Sequence, residues 1–266
     1  MVRRPLGNHH HGPDTLLVTS DATKQTVPVA EATESLRELI KRARFVLFDF
    51  DGPICRLFAG HSAERVAVEQ VRWLEERGLH GLLTEEERAE PDPHAVLRAV
   101  DRRRPGSDLV VELEERLTQQ ELTAVASAWP TQYADPLIRT WYAVGAHLAV
   151  TTNNSPAVAS RYLATRGLTT CFAPHVYGRT QDLHLLKPHP YCVQRALGAL
   201  GATPEASLMI GDTPSDFAAA TAAGIAFLGY ARNERTAKVL REAGAEVVVS
   251  SLEPLLGVLR ERGKSG

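Results

Sequence analysis

Two aspartates stand at the end of an apolar run in the first part of the chain. Residues 45–57 read FVLFDFDGPICRL, so Asp49 and Asp51 interrupt a segment that is typical of a buried strand. Burying a carboxylate costs several kcal/mol unless a metal ion, a charged partner or hydrogen bonds compensate it. Two carboxylates at this position therefore indicate chemistry, as metal ligands or as acid, base or nucleophile.

Polar residues also follow three later apolar runs. They are Thr152 and Asn153, then Lys187 in LLKPHP, then Asp212 and Asp216 in GDTPSD. If the strands are parallel, their carboxyl ends share one edge of a sheet, which is where such sheets bind ligands. Each residue alone has a structural alternative: Asp212 could cap a helix that begins near Pro214, and Asp216 could be a first-turn acid favoured by the helix dipole.

The elements that would position these residues alternate between strands and helices. A helix with the capping-box spacing of Ser35 and Glu38 leads into the first strand. Later strands are predicted near 147–152, 172–177, 207–211, 225–229 and 246–249, with helical patterns between them. This alternation predicts an α/β fold with a doubly wound parallel sheet.

The stretch between the first two predicted strands is far longer than the roughly 30 residues of a complete βαβ unit. Residues 58–133, called the insert below, contain segments with helical apolar spacing separated by Gly or Pro. We predict a small α-helical cap domain over 58–133 and an α/β core over 30–57 and 134–260. Residues 1–29 lack periodicity and are predicted to form a flexible tail, and we assign no role to its histidines His9, His10 and His11.

The composition is that of an ordinary folded protein. Of the 266 residues, 44% are apolar and 23% charged, and the formal net charge of −2 offers no long-range attraction to nucleic acid or anionic lipid. The cysteines Cys55, Cys171 and Cys192 lack metal-ligand spacing and suit a reducing compartment. No run has the apolar length of a signal peptide or membrane span. We expect a cytoplasmic protein with a small-molecule partner and neither nucleic acid nor membrane; its oligomeric state is not predicted.

Taken in order, the four groups of polar residues resemble the motifs of the haloacid dehalogenase (HAD) superfamily, in the phosphatase branch of phosphoglycolate phosphatases and β-phosphoglucomutases. Those motifs are an apolar strand followed by D-x-D-G, a strand ending in Thr or Ser, a Lys often followed by Pro, and G-D-x-x-x-D. They are matched here by Asp49 to Gly52, by Thr152, by Lys187 with Pro188, and by Gly211 with Asp212 and Asp216. The resemblance covers about 45–250 and implies the Rossmann-like HAD core with a helical cap inserted between the first two motifs.

The resemblance implies a Mg²⁺-dependent phosphohydrolase that cleaves a small phosphate monoester. In this prediction Asp49 attacks phosphorus and forms an aspartyl-phosphate, while Asp51 acts first as general acid and then as general base. Mg²⁺ would be bound by Asp49, by Asp51 through its backbone carbonyl, by Asp212, and by Asp216 either directly or from the second shell.

The same resemblance predicts which residues would bind the phosphate group. Its oxygens would be bound by Gly52, Thr152 and Asn153, and its charge neutralised by Lys187. Pro53 departs from the family pattern, in which Thr or Val usually follows D-x-D-G, and it removes a backbone N–H from the turn.

Three other functions stay open. A phosphomutase of the same superfamily would differ mainly in its cap, although no stretch of the insert resembles the mutase cap signature. A catalytically silent protein that binds phosphate or a partner would keep the fold without turnover. A receiver-like module fits less well, because its metal-binding acids precede its phospho-accepting Asp. Arg56, His61 and Arg65 are the polar residues best placed by sequence to reach over the site, although each alone also suits an ordinary surface position.

Overall fold

The structure is a computed structural model that describes residues 29–262, with the side chains of 34–261. Apart from Val29, the predicted tail, including His9, His10 and His11, lies outside these residues. The strands are β1 (Phe45–Phe48), β2 (Cys55–Arg56), β3 (Trp129–Pro130), β4 (His147–Thr151), β5 (Val176–Tyr177), β6 (Ser207–Gly211), β7 (Ala226–Tyr230) and β8 (Val248–Val249).

Helices surround and connect these strands. They are α1 (Val29–Arg42), α2 (Ala63–Glu76), α3 (Glu85–Arg88), α4 (Pro93–Arg103), α5 (Asp108–Val125), α6 (Ala134–Ala143), α7 (Pro156–Thr165), α8 (Thr169–Phe172), α9 (Tyr191–Leu200), α10 (Pro214–Ala222), α11 (Glu234–Glu242) and α12 (Glu253–Arg262). Short 3₁₀ turns occupy Leu183–Leu185 and Pro204–Ala206.

One parallel sheet organises the core, in the order β5-β4-β1-β6-β7-β8. Its central strand β1 pairs with β4 and β6, and Phe48 is in register with Val150 and Ile210. The residues that directly follow β1, β4 and β6 therefore lie side by side at one edge of the sheet. The predicted α/β fold with a doubly wound parallel sheet is confirmed.

The central strands are buried on both faces because helices cover each side. Val46 and Phe48 of β1 belong to a hydrophobic cluster with helices α1, α6, α7 and α12. Leu47, whose side chain points the opposite way, packs in a second cluster with α9, α10 and α11. This two-sided burial explains why the strands read as continuous apolar runs rather than alternating ones.

The insert has a hydrophobic cluster of its own. Helices α2, α4 and α5 contribute most of it, including Trp73, Leu97 and Leu113. Leu183 and Leu186, which come from the core segment before Lys187, complete this cluster. The insert is therefore packed onto the core segment that carries one of the predicted site residues. The predicted division into core, cap and tail domains stays a prediction.

Two local predictions differ from the structure. Helix α1 begins at Val29, so Ser35 lies inside the helix and does not cap it. The predicted strand at 172–177 is reduced to β5, because helix α8 takes up Phe172 and Pro174 supplies no N–H to a strand ladder. The apolar character of this stretch reflects burial of a short helix and not an extended strand.

Candidate active site

The carboxyl ends of β1, β4 and β6 bring together four charged side chains, called the sheet edge below: Asp49, Lys187, Asp212 and Asp216. Asp49 follows β1 directly, and its backbone N–H donates to the carbonyl oxygen of Ile210 on β6 at 2.8 Å. Asp212 follows β6, and Asp216 lies in the first turn of α10. The juxtaposition predicted from the strand ends is therefore present.

Lys187 is the cation of the sheet edge and is 2% exposed. Its Nζ donates to Oδ1 of Asp49 at 2.7 Å, to Oδ1 of Asp216 at 2.5 Å and to the carbonyl oxygen of Thr151 at 2.9 Å. These three bonds use all the donors of an ammonium group. Burial lowers the pKa of Lys187, but the two carboxylates outweigh it and raise that pKa above its usual value, so the side chain is a fixed positive charge.

Asn153 fixes Lys187 through its backbone. The side-chain amide of Asn153 donates from Nδ2 to the carbonyl oxygen of Lys187 at 3.1 Å, and its Oδ1 accepts from the N–H of Lys187 at 2.8 Å. These two bonds orient the side chain of Asn153 and position the backbone of Lys187, while Nδ2 keeps a second N–H and Asn153 lines the same cavity as Asp49. The phosphate-binding role of Asn153 stays a prediction.

Three carboxylates of the sheet edge crowd together. Asp49, Asp212 and Asp216 each offer an oxygen atom within 4.8 Å of the others. Burial raises the pKa of Asp49 to about 7, helped by Asp216 and opposed by Lys187. Burial, Asp49 and Asp216 likewise raise the pKa of Asp212 well above its usual range. One lysine does not compensate three carboxylates, so the cluster favours an additional cation.

The surroundings of Asp212 fit such a cation. Its buried Oδ1 has no hydrogen-bond partner among the described residues. Gly52 allows this carboxylate to lie close, because a Cβ at that position would stand 2.3 Å from Cγ of Asp212. Gly211 likewise allows Asp216 to lie close, because a Cβ added at Gly211 would be 2.4 Å from the Cβ of Asp216. Clustered carboxylate oxygens are the ligands that a hard divalent cation prefers.

Asp216 makes the helix-capping contacts that the sequence analysis gave as its structural alternative, and it also contacts Lys187. Thr213 is the N-cap of α10 and forms a capping box with Asp216, whose Oδ2 accepts from the N–H of Thr213 at 3.0 Å. The other oxygen, Oδ1, accepts from Lys187. Asp212 does not cap the helix. The capping bonds therefore hold Asp216 in place for its contact with Lys187.

Asp51 lies beside the sheet edge and lines the same cavity as Asp49. Its Oδ1 accepts from the N–H of Leu57 at 2.8 Å, which fixes the direction of the carboxyl group. Burial raises the pKa of Asp51. Its carboxylate is not part of the three-carboxylate cluster, which suits a proton donor better than a metal ligand. Binding of a metal through its backbone carbonyl stays a prediction.

Thr152 lines this cavity and is almost fully buried. Its Oγ1 donates to Oδ1 of Asn154 and accepts from the N–H of Asn154, both at 3.0 Å. The hydroxyl is thus held at the sheet edge, with its proton directed at Asn154. Gly52, by contrast, does not line the cavity. The phosphate-binding roles of Thr152 and Gly52 stay predictions.

The insert closes the cavity with residues that the sequence did not single out. The cavity measures about 420 Å³, and Asp92, His94 and Arg98 at the start of α4 line it together with Asp49 and Asp51. The Asp-Pro pair before His94 signals a helix start, but nothing local indicates which way that helix end faces. We call this space the catalytic cavity.

The three insert-side residues suggested by the sequence lie elsewhere. Arg65 is on α2, where it pairs with Glu69 and its side chain is 76% exposed. His61 bonds to Gln120 within the insert. Arg56 is exposed on β2 and stacks on Trp129. None of Arg56, His61 and Arg65 lines the catalytic cavity, so the alternative of an ordinary surface position fits them better than a place over the site.

A second group of buried charges joins the insert to the core. Glu121 of α5 is fully buried and accepts from Arg179, which donates from Nη1 and Nη2 at 2.9 and 3.0 Å. Asn154 donates to Glu121 at 3.0 Å, and His94 lies 3.1 Å from it through Nε2. We call these four residues the interface network.

The charges of the interface network compensate one another. Burial would raise the pKa of Glu121, but Arg179 and His94 lower it to about 2. Burial would lower the pKa of His94, but Asp92 and Glu121 raise it. Because Thr152 also bonds to Asn154, the network connects α5 of the insert directly to the second motif of the core.

Comparison with known proteins identifies the family. The family model described as haloacid dehalogenase-like hydrolase matches residues 14–224, and the chain belongs to this family. The resemblance drawn from the motifs is therefore confirmed. Among the described residues, no helix is long and apolar enough to cross a membrane.

Several curated relatives are named as phosphatases or as a pyrophosphatase. The chain is 31% identical over 112 residues to phosphoglycolate phosphatase of Haemophilus influenzae, covering 42% of this chain and 49% of that protein. It is 30% identical over 124 residues to pyrophosphatase PpaX of Halalkalibacterium halodurans, covering 46% of this chain and 56% of that one. The chain thus spans about half the length of the curated relatives it matches.

Solved structures resemble the chain over most of its length. A predicted phosphatase from Clostridium acetobutylicum aligns with a TM-score of 0.60 at 17% identity, covering 82% of this chain and 99% of that one, which shows the shared fold. A HAD family hydrolase from Deinococcus radiodurans aligns with a TM-score of 0.52 at 27% identity, covering 84% of this chain and 97% of that one. That crystal structure contains bound phosphate and sodium.

Proposed function

We propose that this protein is a phosphatase that hydrolyses a small phosphate monoester with the help of a divalent cation, most suitably Mg²⁺. One observation carries the proposal: Lys187 and three crowded carboxylates meet at the sheet edge, with Asp51 on the same cavity. The names of the relatives and the phosphate in the Deinococcus structure support phosphate as the ligand. The core of the enzyme is 30–57 and 134–260, and the insert is its cap.

Asp49 is the nucleophile of the proposed reaction. A carboxylate oxygen of Asp49 attacks phosphorus, the bond from phosphorus to the ester oxygen breaks, and an aspartyl-phosphate forms. Lys187 holds this carboxylate in place through the bond to Oδ1 and favours its ionised form. The side chain is rigid because Asp49 follows a central strand and is only 6% exposed.

Asp51 moves the protons. It donates its proton to the departing ester oxygen, and it then takes a proton from the water that attacks the aspartyl-phosphate and releases inorganic phosphate and Asp49. The raised pKa of Asp51 keeps a proton available for the first step. The bond from Leu57 leaves one carboxyl oxygen for this transfer.

The remaining core residues position the phosphate group. We place Thr152, Gly52 and the backbone N–H of Asn153 around its oxygens, and Lys187 contributes a nearby positive charge. A cation held by Asp49, Asp212 and Asp216, with the backbone carbonyl of Asp51, would neutralise phosphate charge and lower the pKa values that crowding raises.

Phosphate release from an aryl phosphate such as p-nitrophenyl phosphate tests the proposal. We would assay the wild-type protein with Mg²⁺ and with excess chelator, and compare Asp49→Asn with wild type. We expect activity to need both the cation and Asp49, with a loss of at least about 10³-fold in the variant.

A matched control separates the chemistry from a general charge effect. Asp108→Asn removes a carboxylate from the exposed start of α5, outside the catalytic cavity, and we expect normal activity. Normal turnover by Asp49→Asn would refute the covalent mechanism. Activity unaffected by chelator would refute the metal requirement, and absence of activity in wild type would favour a phosphomutase or a silent binding protein.

A further inference from the structure

The catalytic cavity continues into a second cavity. This second cavity measures about 440 Å³ and lies between α4 of the insert and the core segment 183–189. Arg98, Lys187 and Pro188 line both cavities, so the two spaces meet at these residues. Pockets of 300–1,000 Å³ are typical for whole small-molecule ligands, so the combined space exceeds the needs of a phosphate group alone.

The two cavities differ in charge. The catalytic cavity is lined by four carboxylates, those of Asp49, Asp51, Asp92 and Asp216, and by the basic side chains of His94, Arg98 and Lys187. The second cavity has a single carboxylate, Asp101, and these basic side chains: Arg98, Arg102, Lys187, His184 and His189. Lys187 is compensated by Asp49 and Asp216, and Arg102 by Glu87, so the positive charge that an anionic group would meet in the second cavity is centred on Arg98.

Arg98 stands where the cavities meet and has free donors. It forms an ion pair with Asp92, whose Oδ2 lies 3.5 Å from Nη2, which is too far for a good hydrogen bond, and its side chain is 32% exposed. Arg102, one turn further along α4, is instead bonded to Glu87 at 2.9 Å. The guanidinium of Arg98 thus keeps the forked N–H geometry that binds a carboxylate or phosphate in a bidentate manner.

We propose that Arg98 binds a second anionic group of the substrate, which extends from the catalytic cavity into the second one. The inference rests on the proposed function and narrows its substrate class. The substrate is an organic phosphate ester with a further phosphate or carboxylate on its carbon skeleton. His94 does not compete with Arg98 for this group, because both its ring nitrogens face carboxylates, Asp92 and Glu121.

Matched substrate pairs test this inference. We would measure kcat/KM with Mg²⁺ for glycerol 3-phosphate against 3-phosphoglycerate, and for glucose 6-phosphate against glucose 1,6-bisphosphate. The first pair adds a carboxylate and the second a phosphate. We expect wild type to favour the doubly anionic member of at least one pair by about 10-fold or more, the effect of a charge-assisted hydrogen-bonded pair. The pair that shows it identifies the second group.

Variants assign the preference to Arg98. Arg98→Gln should reduce the preference about 10-fold, mainly through KM for the doubly anionic substrate, and Arg98→Lys should retain part of it. The matched control is Arg72→Gln, which removes another arginine of the insert that pairs with Glu76 outside both cavities. We expect Arg72→Gln to keep the wild-type preference.

The outcomes distinguish this inference from the proposed function. If wild type hydrolyses p-nitrophenyl phosphate but shows no preference within either pair, the second anion site is wrong and the phosphatase stands. The same holds if Arg98→Gln lowers kcat/KM equally for both members of the preferred pair. If wild type hydrolyses no phosphate ester with Mg²⁺, both proposals fail.

Discussion

The sheet edge and the interface network both bury several charges, yet they treat them in opposite ways. At the sheet edge, one lysine lies among three carboxylates and bonds to two of them, and an oxygen of Asp212 is left without a partner among the described residues. In the interface network, Glu121 accepts from Arg179 through both oxygens and also from Asn154. The pKa values follow this contrast: raised at Asp49 and lowered at Glu121.

The difference indicates two roles for buried charges: those of the sheet edge suit catalysis, and those of the interface network hold the insert against the core. A buried carboxylate with complete partners holds two parts of a protein in one arrangement, while an incompletely compensated one is ready to receive a ligand. Removing a charge should therefore cost activity at the sheet edge and stability at the interface network. The predictions below test this contrast, beginning with the largest effect.

Replacing Asp51 with Asn should reduce kcat by about 10²- to 10⁴-fold, the usual cost of losing a general acid or base. The substitution keeps the size of the side chain and its ability to accept from Leu57, so the free energy of unfolding should change little. Steady-state kinetics with an alkyl phosphate, together with urea denaturation, would check both statements. If the variant lost only affinity for Mg²⁺, the role of Asp51 in proton transfer would be wrong.

Replacing Glu121 with Gln should lower the free energy of unfolding by about 3 kcal/mol, because it leaves the buried guanidinium of Arg179 without its main partner. Glu114, which also accepts from Arg179 at 2.8 Å, limits the loss. Urea denaturation of the variant and of the double variant Glu121→Leu, Arg179→Met provides the comparison. We expect the double variant to be closer to wild type than the single one, and the opposite ranking would contradict a paired role.

Mg²⁺ should stabilise the wild-type protein by about 2.7 kcal/mol at a concentration 100 times its dissociation constant. Asp212→Asn should abolish most of this gain, and in chelator the variant should be more stable than wild type because one repelling carboxylate is gone. Thermal unfolding with Mg²⁺ and with chelator measures both effects, and Asp108→Asn is the control. If the variant were less stable than wild type in chelator, repulsion among the three carboxylates would not destabilise the folded protein.

The sequence was sufficient for much of the sheet edge because two of its four residues directly follow strands. Asp49 and Asp212 each follow a strand directly, so a correct prediction of parallel strands places them at one edge. The capping box of Asp216 can likewise be recognised from the local sequence Thr-Pro-Ser-Asp. Local pattern and simple sheet geometry therefore define most of the proposed catalytic residues.

The interface network and Arg98 could not be predicted in this way. Glu121 and Arg179 are 58 positions apart, and their contact depends on how the insert packs onto the core. Arg65 illustrates the same limit, since proximity in sequence to the first motif suggested a place over the site, but α2 turns it to solvent. Which face of an inserted helix meets the core is decided by tertiary packing, here by Leu183 and Leu186 in the hydrophobic cluster of the insert.

The smallest predicted effect concerns the pH dependence that His94 gives to the interface network. Asp92 and Glu121 raise the pKa of His94 above 6.5, its ordinary value, so its charged form is favoured in the folded protein. This stabilisation is complete below the unfolded pKa and is lost as pH rises through the raised folded value. We expect the free energy of unfolding of wild type, relative to His94→Gln, to fall as pH increases above 6.5.

Asp49, with a pKa of about 7, titrates in the same range in both proteins, and its contribution cancels in the difference. Urea denaturation of both proteins at a series of pH values between about 5.5 and 9 gives the comparison. A difference that is constant over this range would mean that folding does not shift the pKa of His94, and one that rises with pH would mean that His94 is neutral in the folded protein. Either result would contradict the role of His94 as a second cation beside Glu121.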